Sequence, residues 1–391
     1  MSELNLQSIY LHQAAAICAQ GRDLHTISER VFSDQPVPLT ITDRYTSGRP
    51  LPLGVVNDLP LVADTRNNSL LAAALAPIRA EVEALRARFG AQRIGVILGS
   101  STSGIAEGEV ALASYLETGA LPPSFHYSQQ ELSAPALYVA RELQLTGPAW
   151  TISTACTSGA KAIASGARLL RLGVCDAVIV GGADSLCRLT VEGFSALSAV
   201  SDQPCNPFSR NRRGINIGEA AALMILSREP GRIRVAGVGE TSDAHHISAT
   251  EPDGRGAEAA MRAALEDAGL APSAIGYINL HGTATEQNDR MESLAVARVF
   301  DNRIACGSTK ALTGHTLGAA GALEALFCYL ALLRNDGELP RQLWDGECDP
   351  DVAPLQQLGA TRVASPLRYA MSNSFAFGGN NISLILELCH D

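Results

Sequence analysis

Apolar positions along this chain switch repeatedly between two periods. Residues 93–98 (RIGVIL) carry an almost unbroken apolar run, the pattern of a strand buried on both faces. Residues 69–89 interleave Leu and Ala with Arg and Glu at helical spacing and predict one amphipathic helix. A further helix is expected over 128–143, ended by Gly147-Pro148, then a short strand over 149–153. Small residues dominate 157–172, a helix stopped by Gly173, and 177–180 is a strand running into Gly181-Gly182. Strands over 221–226 and 233–238 are joined by the turn Glu229-Pro230-Gly231. Beyond it, strands over 275–280, 369–373 and 382–388 alternate with helices over 256–268, 285–299 and 317–333. The alternation predicts α/β layers with helices on both faces of each sheet. The turn at 229–231 divides the chain into an N-terminal half, 1–229, and a C-terminal half, 230–391. No direct sequence repeat relates the two.

Composition narrows the function. The length, 391 residues, suits a large α/β core or two fused halves. Hydrophobic residues at 46% and charged residues at 18% mark a globular chain. A formal net charge of −10 argues against general nucleic-acid binding, and an acidic partner would need a local basic patch. The nine cysteines have no paired metal-ligand spacing and read as free thiols of a reducing cytosol. No apolar run is expected to span a bilayer, and residues 1–10 lack the basic-then-apolar order of a signal peptide. A cytoplasmic protein with no membrane partner is expected.

Three residues stand out chemically. Cys156 lies at a strand-to-helix junction in STACTSGA, where the helix dipole favours a thiolate and small neighbours leave room for a substrate. Taken alone it is not distinguished from Cys175 or Cys306, and inert packing is the commoner fate of a buried cysteine. His281 ends a strand, where open α/β sheets bind ligands. His315 precedes a helix rich in Gly and Ala, and Gly318 and Gly321 there suit tight helix packing. Either histidine alone fits a structural role equally well. Asp243-Ala244-His245-His246 has the look of a metal site but no third ligand nearby, so no metal is expected. The glycines of 95–104 fit neither nucleotide fingerprint.

Five blocks taken together are far more specific: STACTSGA, NPFSRNRRGINIGEAA, NLHGTATEQND, STKALTGHTLGAAGALE and NSFAFGGNN, in this order. With them the chain resembles the β-ketoacyl-acyl carrier protein synthases of the thiolase-like superfamily. A weaker match at GVILGSSTSG extends the likeness towards the N-terminus, while residues 1–60 match poorly. The resemblance implies a five-layer α-β-α-β-α fold of two pseudo-duplicated halves, usually dimeric. It implies Cys156 as the nucleophile that takes an acyl group from a phosphopantetheine thioester. His281 and His315 would bind the malonyl thioester carbonyl while CO2 leaves. Lys310 and Glu324 would orient and balance charge around His315.

The oxyanion hole falls on the backbone N–H groups of Cys156 and Phe377, and Phe375 and Phe377 belong to the gate of the acyl pocket. Thr283 and Thr285 match hydroxyls that hold the phosphopantetheine arm, or cap the next helix. Arg210, Arg212 and Arg213 form a basic cluster that meets the acidic carrier protein or pairs internally. Arg66 is a second candidate for carrier docking. No bound cofactor is implied, because the substrates ride on the phosphopantetheine of acyl carrier protein. The partner set is that carrier protein and a second subunit, identical or a ketosynthase-like chain-length factor.

The chain departs from the family in several places. Ala376 stands where glycine is usual, and its Cβ restricts φ > 0 and with it the freedom of the gate to open. Asn380 replaces a usual threonine, and Glu286 a common proline. In these traits it is similar to ketosynthases of secondary-metabolite clusters, particularly those building aryl polyenes. A thiolase using free coenzyme A is the competing enzyme, but it needs a second active-site cysteine near the C-terminus. Here Cys389 lies outside any glycine-rich motif.

Overall fold

The computed structural model describes residues 8–389. Ten strands carry the architecture: β1 (Tyr10–Cys18), β2 (Ile94–Gly99), β3 (Ala149–Ile152), β4 (Ala177–Asp184), β5 (Ala220–Ser227), β6 (Ile233–Ser242), β7 (Tyr277–Asn279), β8 (Ala305–Gly307), β9 (Tyr369–Phe375) and β10 (Asn380–Leu388). The first five run in the order β1-β5-β4-β2-β3, and the last five in the order β6-β10-β9-β7-β8. Numbered within each half, the two orders are identical. In both halves the first, fifth and fourth strands pair antiparallel and the remainder parallel. The duplication that the residues hide is explicit in the topology. The two sheets join through a short ladder, Tyr10 opposite Arg234 and Leu11 opposite Ile233.

Side-chain alternation along the strands sorts the core into layers. Helices α1 (Arg66–Leu75) and α2 (Ala134–Glu142) cover the outer face of the first sheet, where Ala15, Ile17, Val96 and Leu98 point. Helix α3 (Ser158–Arg171) covers its inner face, against Ala14, Ala16, Ile97 and Val178. Helices α4 (Arg255–Ala268) and α5 (Glu286–Phe300) cover the outer face of the second sheet, against Met371 and Ile385. Helix α6 (Ala320–Arg334) covers its inner face, against Ile382, Leu384 and Leu386. The result is the expected α-β-α-β-α stack, with α3 and α6 crossing at its centre.

That crossing depends on absent side chains. A Cβ on Gly159 would lie 2.8 Å from the Ala322 nitrogen, and one on Gly321 would lie 2.8 Å from Ala160 Cβ. Residues 317–334 are apolar and long enough to pass for a membrane span, contrary to expectation, but 89% of that stretch is buried inside the fold. It is the core helix between two sheets.

The pattern misplaced some elements. The single helix expected over 69–89 is broken at Pro77 into α1, a 3-10 turn at Ala76–Ile78 and a second helix, Arg79–Phe89. Proline has no N–H to continue the ladder. Strand β1 and the helices Ile105–Thr118 and Arg188–Ala196 were not anticipated. Both of those helices carry large exposed apolar residues, including Leu112, Leu116 and Leu189, which blur their polar faces.

Candidate active site

Cys156 occupies a tight turn between β3 and α3. Ala155 before it takes φ +52°, a conformation unfavourable for any residue with a side chain. Two hydroxyls hold the turn: Ser158 Oγ accepts from Thr154 N at 2.9 Å and donates to Ala155 O at 2.6 Å, and Thr157 Oγ1 donates to Thr154 O at 2.7 Å. Together these contacts hold Cys156 Sγ towards the second half, where His315 Nε2 lies 3.1 Å away.

His315 is held from both sides of the chain. Its backbone N–H donates to Asn216 O at 2.6 Å, and its carbonyl accepts from Gly218 N at 3.0 Å. Leu317 N–H donates to the ring Nδ1 at 3.3 Å, so Nδ1 is an acceptor and the ring proton sits on Nε2, facing Sγ. The same tautomer argues against metal. Cys156, His281 and His315 bring their ligand atoms within 4.8 Å of one another. A metal at His315 Nε2 would push the proton to Nδ1, against the Leu317 N–H.

His281 follows β7, and its ring stacks edge-on against His315 with centroids 5.4 Å apart. The Glu292 carboxylate, in the second turn of α5, accepts from His281 N at 2.8 Å and Gly282 N at 2.7 Å. Asp289 accepts from Phe208 N at 2.7 Å and Ala284 N at 3.2 Å. Burial pushes both carboxyls up, Asp289 to about 6 and Glu292 to about 7. Neither residue was singled out from the sequence, although both lie on a helix face that also carries Met291 and Ala295. Two acids on a buried face were the available signal.

Lys310 and Glu324 form a buried ion pair. Lys310 Nζ also donates to His281 O at 2.5 Å and lies 3.4 Å from His281 Nδ1, so the pair contacts His281 directly and not, as expected, His315. Burial pushes Glu324 up to about 7 against the pull of Lys310. Glu324 Oε2 has no protein partner. Both histidines are held well below their ordinary value by burial and by Lys310, His281 also by His315, so they are neutral near pH 7.

For Cys156 the helix-dipole expectation is outweighed. Burial pushes the thiol up to about 12, while Lys310 and the backbone N–H groups of Cys156 and Phe377 pull the other way. Both N–H groups act on the sulfur side of the site, the side on which an acyl oxygen would develop charge.

A cavity of about 540 Å3 opens onto these groups. Cys156 is the one cysteine among its lining residues, which also include His281, His315, Thr283, Thr285, Phe375 and Phe377. Thr283 and Thr285 share a hydroxyl contact of 2.9 Å, and Thr285 also caps α5 by accepting from Asn288 N at 3.4 Å. Phe375 packs edge-on to His281, and Phe377 meets Phe194 with ring centroids 5.7 Å apart. Phe194 and His246, neither anticipated for this site, line the same cavity, as does Glu286.

Positive φ falls on Gly378 and Gly379, at +84° and +78°, and not on Ala376. Asn380 accepts from Lys161 Nζ at 2.9 Å through its side chain, a contact for which its amide oxygen is suited.

The basic residues separate. Arg213 is exposed at the cavity mouth. Arg212 lines the cavity but is paired with Asp349. Arg210 is exposed and donates to Cys348 O at 3.1 Å. Arg66 offers no free guanidinium for docking: it is folded inward onto the fully buried Glu219, at 2.5 and 2.8 Å. Asp243 is engaged by Asn381 Nδ2 at 2.6 Å, and among the described residues the Asp243–His246 segment forms no converging ligand set.

Comparison with known proteins agrees with this geometry. Residues 71–230 match the family model of the β-ketoacyl synthase N-terminal domain, and residues 233–343 that of the C-terminal domain. The 3-oxoacyl-[acyl-carrier-protein] synthase 2 of Staphylococcus aureus is 34% identical over 321 residues, 76% of this chain and 77% of that protein. The chain belongs to the β-ketoacyl-acyl carrier protein synthase family. It is an acyltransferase with ketosynthase condensing activity. Nodulation protein E of Rhizobium meliloti is 37% identical over 313 residues, 76% of each chain. Among solved structures, the ketosynthase ApeO of Xenorhabdus doucetiae, determined in complex with its chain length factor ApeC, superimposes with a TM-score of 0.91. It is 44% identical and the match covers 100% of both chains. The ketosynthase fold and its thiolase-like layering are thus shared.

Proposed function

We propose that this ketosynthase works through Cys156, His281 and His315 on carrier-bound substrates. The observation that carries the reading is the convergence of these groups in one cavity: His315 Nε2 lies 3.1 Å from Cys156 Sγ, and the His281 ring stacks on His315 with centroids 5.4 Å apart. In the first step Sγ attacks the carbonyl carbon of an acyl thioester. The acyl bond to the phosphopantetheine sulfur breaks, and the proton from Sγ leaves on that sulfur. The N–H groups of Cys156 and Phe377 hold the transient oxyanion.

In the second step the malonyl thioester carbonyl accepts hydrogen bonds from the Nε2–H groups of His281 and His315. The bond to the carboxylate breaks, CO2 leaves, and the electron pair forms an enolate held by two neutral imidazoles. The enolate carbon attacks the acyl carbonyl, Sγ departs and takes a proton from solvent, and the 3-oxoacyl thioester is formed. Lys310 and Glu324 support His281, and Thr283 and Thr285 hold the pantetheine arm in the cavity. The resting thiol is protonated, so the helix terminus and the two N–H groups act on the sulfur as the proton leaves. No bound cofactor is needed for either step.

The carrier protein approaches at Arg213, with Arg210 beside it. The gate is Phe375 with Phe377. The chain-length-factor complex of the 44% identical ketosynthase supports a heterodimer with such a subunit as the working form. The cytoplasm is its proposed location. Its pathway is polyene or polyketide synthesis of the aryl polyene kind. The halves 1–229 and 230–391 are read as its two domains, supported by the repeated strand order and by the turn between Ser227 and Ile233. A thiolase reading is disfavoured by the lack of a second cysteine among the described cavity residues.

Intact mass after incubation with acyl-carrier-protein thioesters tests the nucleophile. An acyl adduct that disappears in Cys156→Ala is the expected result. Release of CO2 from malonyl carrier protein by Cys156→Gln tests decarboxylation, and its absence alongside coenzyme A exchange would favour the thiolase.

A further inference from the structure

Asp184, the last residue of β4, is fully buried and has no ion-pair partner among the described residues. Six donors converge on its carboxylate instead. Oδ1 accepts from Ser100 Oγ at 2.7 Å, Ser101 N at 2.8 Å, and Thr102 N and Oγ1 at 2.9 Å. Oδ2 accepts from Ser101 Oγ at 2.5 Å, from Ser101 N at 3.1 Å and from Gly318 N at 2.6 Å. A buried carboxylate needs such donors to stay in place. Five of the six come from one loop of its own half. Gly318 comes from the other half, three residues after His315.

Leu317, next to Gly318, has φ +50°. A leucine in that region is strained and keeps the conformation only where its surroundings impose it. The strain has a use, because the Leu317 N–H is the group that fixes the His315 ring proton on Nε2. The next N–H along the chain is the one Asp184 holds. The turn sits directly on the carboxylate: a Cβ on Gly318 would lie 2.8 Å from Asp184 Oδ2 and 2.8 Å from Ser101 N.

We propose that Asp184 is a positioning residue for the condensing reaction: by holding Gly318 N–H it keeps Leu317 in its left-handed conformation and so fixes the orientation and tautomer of His315. The carboxylate of the first half thereby sets the geometry of a histidine of the second half, opposite the cysteine that the first half supplies. This rests on the condensing reading given above.

Asp184→Asn tests it with little change of volume. When the amide oxygen serves the donors at Oδ1, the NH2 group faces Gly318 N–H and two donors oppose each other. Decarboxylation of malonyl carrier protein, measured in the Cys156→Gln background, is expected to fall about 10- to 100-fold in kcat with KM little changed. Acylation of Cys156, measured with the cysteine present, falls far less, because its oxyanion donors are untouched. In protein labelled with 15N-histidine, the His315 ring changes from a single Nε2–H signature to a mixture of tautomers.

Asp184→Glu, which keeps the charge but displaces it by one methylene, is expected to act in the same direction. It serves if the asparagine variant does not fold. Thr102→Ala removes a donor from Oδ1 and leaves Gly318 bound. It is expected to lower Tm while leaving the ring signature and the ratio of decarboxylation to acylation unchanged. An unchanged signature and ratio in folded Asp184→Asn or Asp184→Glu would overturn the proposal, as would an equal shift in Thr102→Ala. Failure of the condensing reading itself would show as no CO2 release with Asp184 intact, and the ring signature would still decide the role of Asp184.

Discussion

Replacing Lys310 by methionine removes one member of an ion pair whose side chains are 1% and 4% exposed. Glu324 is then left buried without its cation, a change that destabilises by about 3–5 kcal/mol. Unfolding entropy of about 2.1 cal/mol/K per residue gives about 0.8 kcal/mol/K for 391 residues. Tm is therefore expected to drop by about 4–6 °C in scanning calorimetry. The drop should depend on pH, and the sign follows from the carboxyl. Burial raises Glu324 to about 7, above its unfolded value. Stability linked to it is fully present below the unfolded pKa and is lost as pH rises through the folded one. Loss of Lys310 raises the folded pKa further, so the deficit of the variant grows from pH 6 to pH 8. In Lys310→Met/Glu324→Leu the uncompensated charge is gone, and most of the lost Tm returns. Condensing activity does not return, because His281 has lost its Lys310 contacts. A single variant that melts with the parent protein, or a deficit equal at pH 6 and pH 8, would refute the reasoning.

Alkylation of Cys156 by iodoacetamide, followed by peptide mass, should be slow at pH 7 and rise about tenfold per pH unit through pH 10, as expected for a thiol near 12. A plateau below pH 8 would mean that the helix terminus and Lys310 outweigh burial. Arg66→Ala should destabilise by about 3–5 kcal/mol by leaving Glu219 unpaired, with KM for the carrier protein unchanged. Arg213→Ala should do the reverse, keeping Tm and raising that KM in a way that fades with added salt. A raised KM in folded Arg66→Ala would put Arg66 back at the docking surface.

Residue identity and order were enough to predict the alternating α/β layers, and the resemblance carried by five short blocks pointed to Cys156, His281, His315 and Lys310, which the fold brings together. These are local properties: periodicity reports which face of an element is buried, and short blocks of small and polar residues carry chemistry that tolerates few alternatives. Other features depend on contacts between segments far apart in the chain. The shared strand order is a property of pairing, and different side chains build it in each half. Whether Arg66 meets solvent or Glu219 is decided across 153 positions. The state of the Cys156 thiol follows from its burial, which overrides the helix terminus that the local sequence displays. The left-handed backbone of the gate segment falls on Gly378 and Gly379 and not on Ala376, which no local rule could decide. The proton on His315 Nε2, on which the proposed chemistry turns, is set by the strained Leu317 and, through Gly318, by Asp184 in the other half. The sequence marks the proposed reacting groups, but tautomer and charge state are properties of their surroundings, which exist only once the two halves have packed together.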